Sequence, residues 1–131
     1  MTKKNYEQLP KLKDDYPDLQ ILAFPCNQFG GQEPGTHAEI LSFVRQFDPQ
    51  MTDKLEFFEK GDVNGRKTRP VFAWLRQELP NAEDGTTTVR WNFTKFLVDH
   101  EGKPFQRYGP KTAPDEIRPD IEKLLEKAKA K

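Results

Sequence analysis

The sequence predicts an α/β sandwich, in which helices pack on a mixed β-sheet. Three features of its 131 residues support this fold class. Several segments carry apolar residues at helical spacing. Short runs of apolar or β-branched residues lie between those segments. Near the end, two strand-like runs are joined by a short turn and followed by one more helical pattern, as in a hairpin that precedes a closing helix.

The first part of the chain predicts a helix, a buried strand and a second helix. Residues 5–16 carry apolar side chains at roughly helical spacing, and residues 19–24 form a short apolar run typical of a buried strand. Residues 25–35 are rich in turn formers and predict a loop. Thr36 followed by Glu39 matches a capping box, which predicts that the second helix begins there.

The second part predicts two strands that pair as a hairpin, preceded by a further strand and a helix. Residues 55–63 are expected to form a short strand, and residues 70–79 a helix with a proline in its first turn. Residues 86–98 and 103–108 are rich in aromatic and β-branched residues and predict an antiparallel hairpin. The apolar spacing over residues 117–128 predicts the closing helix.

One strand is missing from this pattern. The predicted strand 19–24 is apolar throughout, as in strands with neighbours on both edges, but it follows only a helix. Its backbone groups need hydrogen-bonding partners on each side. We therefore expect a further strand upstream of Met1.

Composition argues against several function classes. Lys+Arg and Asp+Glu both number 21, so no global field favours nucleic acid or a membrane surface as a partner. We expect no membrane span and no signal peptide, because long apolar runs are absent from the sequence. His37 and His100 lack further ligands at metal-binding spacing, so no metal is expected. A single cysteine, Cys26, favours a reducing compartment, and we expect a cytoplasmic, single-domain protein spanning residues 1–131.

Two motifs carry the functional signal. Residues 24–35 are Phe-Pro-Cys-Asn-Gln-Phe-Gly-Gly-Gln-Glu-Pro-Gly, and residues 91–98 are Trp-Asn-Phe-Thr-Lys-Phe-Leu-Val. Each alone is compatible with an ordinary loop or an aromatic core strand. Together they resemble the glutathione peroxidase family, whose members show F-P-C-N-Q-F-x-x-Q-E-P-G and later W-N-F-x-K-F-L-V. Residues 2–9 resemble the family's first helix and residues 107–110 its R-Y-x-P segment, so the resemblance covers essentially the whole chain.

This resemblance implies a thioredoxin-like fold of the glutathione peroxidase type, here lacking the N-terminal hairpin and first core strand. It also implies reduction of hydrogen peroxide and of organic or lipid hydroperoxides by glutathione or a similar thiol, without a cofactor. The family's catalytic tetrad is a selenolate or thiolate, a Gln, a Trp and an Asn, of which the last three fall on Gln32, Trp91 and Asn92. Amide and indole N–H donors can stabilise an anionic chalcogen and the charge that develops on the leaving oxygen.

The resemblance places the peroxide-attacking residue outside this sequence. In the family it lies in a pattern similar to N-V-A-S-x-C/U-G-x-T, whose final Thr matches Thr2, so the residue is expected two positions before Met1. A selenocysteine codon is commonly misread as a stop, and Met1 lies just beyond that position, so we expect a parent selenoenzyme. Cys26 belongs to the first motif and is expected to be an inert buried thiol, with attack by Cys26 as the alternative. Residues 43–53 contain no resolving cysteine, which favours reduction by an external thiol.

Other residues give weaker signals. Lys3, Lys4, Arg90 and Arg107 are predicted either to be a solvated face or to form a basic rim for glutathione carboxylates or lipid phosphates. The short segment 80–90 resembles the monomeric phospholipid-hydroperoxide type, so a monomer that also accepts lipid hydroperoxides at a membrane surface is expected. The alternative is a non-catalytic truncated module for interaction or regulation. The joint presence of the three tetrad residues favours the peroxidase.

Overall fold

The structure is a computed structural model that describes residues 2–31, 33 and 35–129. It confirms the predicted alternation of helices and short strands. The elements in chain order are α1 (Thr2–Asp15), β1 (Leu22–Ala23), α2 (His37–Val44), α3 (Met51–Lys54), β2 (Glu56–Phe57), α4 (Pro70–Glu78), β3 (Lys95–Val98), β4 (Pro104–Tyr108), a 3₁₀ turn (Pro114–Ile117) and α5 (Arg118–Lys129).

The strands form two separate pairs among the described residues. β1 and β2 are parallel, with Leu22 opposite Glu56. β3 and β4 form the predicted antiparallel hairpin, with Lys95 opposite Tyr108 and an irregularity between Leu97 and Val98. Parallel and antiparallel pairing are both present, as expected for a mixed sheet, although the two pairs are not hydrogen-bonded to each other.

The two pairs nevertheless lie in one layer. Ile21 and Leu97 pack into the same apolar cluster with side chains of α1, the 3₁₀ turn and α5. On the opposite face, Phe24 and Phe96 both contact the ring of Phe72 on α4. Successive side chains of a strand point to opposite faces of a sheet. The neighbourhoods of β1 and β3 therefore share both helical layers, as two strands of one sheet do.

The starts of α2 and α4 follow the sequence closely. Thr36 Oγ1 accepts from Glu39 N at 3.2 Å, and Glu39 Oε1 accepts from Thr36 N at 3.0 Å, so the capping box forms as predicted. These hydrogen bonds satisfy backbone donors that a helix start leaves free. Pro70 occupies the first turn of α4, where it has no hydrogen bond to lose.

The strands are shorter than the sequence predicts. The strand expected over 86–98 is confined to Lys95–Val98, and the Trp-Asn-Phe segment forms a turn before it. Phe93 has a φ of 62°, a left-handed conformation that interrupts an extended chain. The strands expected over 19–24 and 55–63 contract to β1 and β2.

Candidate active site

A cavity of about 470 Å³ separates β1 from β3. Trp91 and Asn92 of the second motif line it together with Cys26 and Glu33 of the first motif and Thr2 at the start of α1. Gln32, the third predicted tetrad residue, lies outside the described residues. The structure therefore brings two of the three predicted catalytic residues to one cavity, beside the immediate neighbour of the third.

Trp91 connects the two motifs. Its ring lies 5.8 Å, between centroids, from the ring of Phe29, and 36% of the residue is exposed. The left-handed turn at Phe93 sends the chain from Asn92 into β3, and the Phe93 ring packs edge-on against Tyr6 of α1 at 5.3 Å. This contact anchors the turn to α1, so the Trp91–Asn92 pair is held between the first motif and the first helix.

A hydrogen-bond network that the sequence analysis did not identify holds the segment that leads to Trp91. Gln28 Oε1 accepts from the backbone N–H groups of Val63 at 2.8 Å and Asn64 at 3.0 Å, and Gln28 Nε2 donates to Asn64 O at 2.8 Å. The Asn64 side chain in turn donates to Val89 O at 2.7 Å and accepts from Val89 N at 2.9 Å. Gln28 and Asn64 therefore join the first motif to the residue two positions before Trp91.

The backbone that follows Gln32 in the chain is also held, at Glu33 and Gly35. Asn27 Oδ1 accepts from Glu33 N at 2.9 Å. Lys60 Nζ donates to Glu33 O at 3.0 Å and to Gly35 O at 2.8 Å. Burial raises the pKa of the Glu33 carboxyl, and the charge of Lys60 partly opposes that rise. Asn27 and Lys60 are positioning residues for this loop, and only the asparagine lies within the recognised motif.

Cys26 is integrated into the first motif. Only 7% of the residue is exposed, and it packs in a cluster with Phe29 and Phe72. Its Sγ donates to Gln28 Oε1 and accepts from Gln28 N, both at 3.4 Å. Cys26 lines the cavity, yet its thiol hydrogen is directed to a neighbouring amide within the same loop. These contacts fit the packing role predicted for it.

The four residues of the predicted basic rim have different surroundings. Lys3 and Lys4 are exposed on α1. Arg90 forms ion pairs with Glu83 and Asp84 on the segment that precedes it. Such exposed pairs leave the guanidinium partly accessible to another anion.

Arg107 has a structural role that the sequence did not reveal. Its guanidinium donates to the carbonyl oxygens of Leu79 at 3.1 Å and Thr88 at 2.6 Å, and lies 5.0 Å from the centroid of the Phe96 ring. Burial lowers the pKa of Arg107, and the nearby charge of Arg90 lowers it further. Arg107 therefore holds the segment between α4 and Trp91 against β3, and its predicted substrate contact stays a prediction.

Among the described residues, two charged side chains line the cavity, those of Glu33 and Lys95. Lys95 Nζ donates to Thr112 O at 2.8 Å. Burial lowers its pKa to about 8, and the charge of Glu116 opposes this shift.

No three His, Cys, Asp or Glu side chains in the described ranges form a group that could hold a metal ion. In the same ranges, no helix has the length and apolar character needed to cross a bilayer.

Comparison with known proteins identifies the family. Residues 1–76 match the family model described as glutathione peroxidase. The chain belongs to the glutathione peroxidase family. It is 44% identical over 128 residues to a probable phospholipid hydroperoxide glutathione peroxidase of Mesembryanthemum crystallinum, covering 95% of this chain and 72% of the relative. It is 45% identical over 130 residues to a glutathione peroxidase of Schistosoma mansoni, covering 96% and 73%.

Solved structures agree with this assignment. The crystal structure of T. cruzi GPX1 superposes with a TM-score of 0.70 at 29% identity, over 95% of this chain and 72% of that one. The structure of Trgpx in its apo form gives a TM-score of 0.69 at 31% identity, over 95% and 70%. The thioredoxin-like fold implied by the two motifs is thus confirmed, and the family consists of oxidoreductases that reduce peroxides with glutathione.

Proposed function

We propose that this glutathione peroxidase chain supplies Gln32, Trp91 and Asn92 to a site that reduces hydrogen peroxide and organic or lipid hydroperoxides. The observation that carries the proposal is that Trp91 and Asn92 line one cavity with Thr2, at the N-terminal end of α1. The attacking selenocysteine or cysteine belongs two positions before Met1 in the family pattern. Since consecutive Cα atoms are about 3.8 Å apart, a residue three positions before Thr2 stays within roughly 11 Å of it.

The reaction oxidises the attacking group by two electrons. A selenolate or thiolate attacks the terminal oxygen of the hydroperoxide, a chalcogen–oxygen bond forms and the oxygen–oxygen bond breaks. The leaving alkoxide or hydroxide takes up a proton and departs as alcohol or water. The resulting selenenic or sulfenic acid condenses with one glutathione, which releases water, and a second glutathione restores the reduced residue and leaves as glutathione disulfide.

The chain's own residues would stabilise charge during this cycle. The Trp91 indole N–H and the Asn92 amide are donors at the cavity, and Gln32 adds a second amide by its place in the motif. Donors held in a partly apolar cavity stabilise an anion better than the same groups in water. The network through Gln28 and Asn64 keeps Trp91 in place.

The same proposal extends to the substrate range, the oligomeric state, the location and the reductant. The cavity is lined largely by apolar side chains, which suits bulky hydroperoxides, and a relative carries phospholipid hydroperoxide in its name. The short segment between α4 and Trp91 suits a monomer. The single cysteine suits a cytoplasmic location and an external thiol such as glutathione as the reductant.

A coupled assay with glutathione, glutathione reductase and NADPH tests the proposal. The chain as given should show no hydroperoxide-dependent turnover. A chain extended upstream by the family pattern, with cysteine two positions before Met1, should gain turnover that a serine at that position lacks. In the extended chain, Trp91→Phe should lower kcat/KM by roughly 10-fold or more, as expected on removing one donor to a developing charge.

Two results would redirect the assignment. Turnover by the chain as given that disappears in Cys26→Ser would make Cys26 the attacking residue. A folded but inactive extended chain would favour the non-catalytic interaction module. The identity of the attacking residue is settled by the upstream coding DNA, where an in-frame TGA two codons before Met1 supports a selenoenzyme and TGT or TGC a cysteine peroxidase.

A further inference from the structure

Asn64 and Gly65 form an Asn-Gly pair, and the sequence contains no other. An asparagine side chain loses ammonia when the backbone nitrogen of the next residue attacks its amide carbon, and asparagine is for this reason a thermolabile residue. Glycine hinders the attack least, because it has no Cβ. Gly65 is exposed, and no atom of the described residues, its chain neighbours apart, lies within 4 Å of where a Cβ would stand. The position is therefore open to the water that completes the reaction.

In the folded chain, both polar atoms of the Asn64 amide are bonded to a segment that is distant in sequence. Nδ2 donates to Val89 O at 2.7 Å, and Oδ1 accepts from Val89 N at 2.9 Å. Gln28 fixes the backbone of the same residue, since its Oε1 accepts from Asn64 N at 3.0 Å and its Nε2 donates to Asn64 O at 2.8 Å. Attack by the Gly65 nitrogen makes the planar amide carbon tetrahedral and expels Nδ2. The reaction is therefore incompatible with the pairing to Val89.

The segment that carries Val89 is exposed on its N-terminal side. Residues 82–88 are all exposed, and Val89 is the first buried residue after them. Besides Asn64, the Arg107 guanidinium holds this segment by donating to Thr88 O at 2.6 Å. A segment with exposed backbone and few buried contacts opens at a lower free energy than the whole fold. Opening of this segment releases both polar atoms of the Asn64 amide while the rest of the chain stays folded.

We propose that Asn64 is a deamidation site, which the pairing with Val89 protects and which local opening of residues 80–90 exposes. The Gly65 nitrogen forms a bond to Asn64 Cγ, the bond between Cγ and Nδ2 breaks, and the proton of the Gly65 amide leaves with Nδ2 as ammonia. Water then opens the cyclic imide at either carbonyl and leaves aspartate or isoaspartate. No electrons are transferred, and water is the only co-reactant.

Deamidation removes the pairing that protected Asn64. A carboxylate at position 64 has no donor for Val89 O, which belongs to a residue that is only 3% exposed. The new negative charge lies beside Arg76, whose Nη1 is 3.4 Å from Asn64 Oδ1, and an ion pair there competes for the oxygen that accepts from Val89 N. Isoaspartate also lengthens the backbone by a methylene, which shifts the groups bonded to Gln28. The modified chain therefore loses the tether of the segment that leads to Trp91.

Peptide mass spectrometry on the chain as given tests the inference, because both products are heavier than asparagine and separate from it by chromatography. In mildly alkaline buffer, deamidation of Asn64 should be at least about tenfold slower in the folded chain than in concentrated urea. In urea, Gly65→Ala should slow it at least about threefold, because the added Cβ hinders the attack. Equal rates in the folded and unfolded chain would overturn the protection by Val89. A rate in urea that Gly65→Ala leaves unchanged would overturn the attack by the backbone nitrogen.

Two variants of the folded chain distinguish local opening from global unfolding. Arg107→Ala frees Thr88 and should speed deamidation of Asn64 at least about threefold, whereas Thr36→Ala, which removes the capping box of α2, should leave the rate unchanged. An equal increase in both variants, or no increase in Arg107→Ala, would overturn the local opening.

The deamidated chain, once purified, gives a readout that needs no variant. Amide hydrogen exchange at Val89 should be at least about threefold faster than in the unmodified chain, because its pairing with Asn64 is lost. Unchanged exchange would contradict the loss of the tether. None of these measurements depends on the proposed peroxidase activity.

Discussion

Replacing Asn64 with alanine is expected to destabilise the fold more than any ordinary surface substitution. The Asn64 side chain makes both hydrogen bonds to the backbone of Val89, at 2.7 and 2.9 Å, and Val89 is only 3% exposed. Alanine would leave a buried N–H and a buried C=O without these partners. A buried polar group that loses its partner costs about 1–3 kcal/mol, so the loss of two partners should lower the free energy of unfolding by about 2–6 kcal/mol.

Two further variants test whether the loss of stability comes from the hydrogen bonds to Val89 or would follow from replacing any asparagine. Asn64→Asp keeps an acceptor for Val89 N and loses the donor to Val89 O, so its loss should be intermediate. Asn81→Ala removes hydrogen bonds to Thr86 Oγ1 and Thr88 O in an exposed loop, where water can replace them. That control should cost less than about 1 kcal/mol.

The measurement is urea-induced unfolding followed by Trp91 fluorescence in a Trp74→Phe background. The midpoint should shift at constant m-value if the change is one of stability. The emission of Trp91 should also move to longer wavelength before unfolding, because the segment that carries it loses its tether. A loss for Asn64→Ala no larger than that for Asn81→Ala would refute the role assigned to the network.

Three more predictions test the cavity, a helix start and the sheet. Burial lowers the pKa of Lys95 to about 8 from 10.5, so between those pH values the unfolded chain binds more protons than the folded chain, and the free energy of unfolding should rise with pH by roughly 2 kcal/mol after allowance for partial exposure. In Lys95→Met, the urea midpoints at pH 7.5 and 10.5 should lack this rise, and a rise of equal size in the variant would contradict the role of Lys95. Thr36→Ala should cost about 1 kcal/mol in urea unfolding through loss of the capping box, whereas exposed Thr87→Ala should cost less than half of that, and equal losses would count against the cap. On heating, the chain as given should associate or unfold below about 60 °C, because apolar side chains and strand edges are exposed. A monomer that unfolds cooperatively above that temperature would weigh against an incomplete sheet.

The sequence by itself determined the features that depend on neighbouring residues. Thr36 and Glu39 specify the start of α2 because a capping box involves residues three positions apart. Pro70 specifies the start of α4 through its fixed φ and missing donor. The two motifs identified the family and pointed to Trp91 and Asn92 because their residue types and order were present in the chain itself.

Only the tertiary structure decided the strand lengths and the residues that position the site. Gln28 bonds to a backbone group 36 residues away, and Asn64 to one 25 residues away, and no local pattern encodes such pairings. The Trp-Asn-Phe segment carries residues with high β-propensity, yet Asn64 takes the hydrogen-bonding groups of Val89 and Phe93 adopts a left-handed turn. Strand formation depends on a partner at hydrogen-bonding distance, and a partner is a property of the folded chain. The sequence therefore predicted where strands could form, and packing determined which residues became strands.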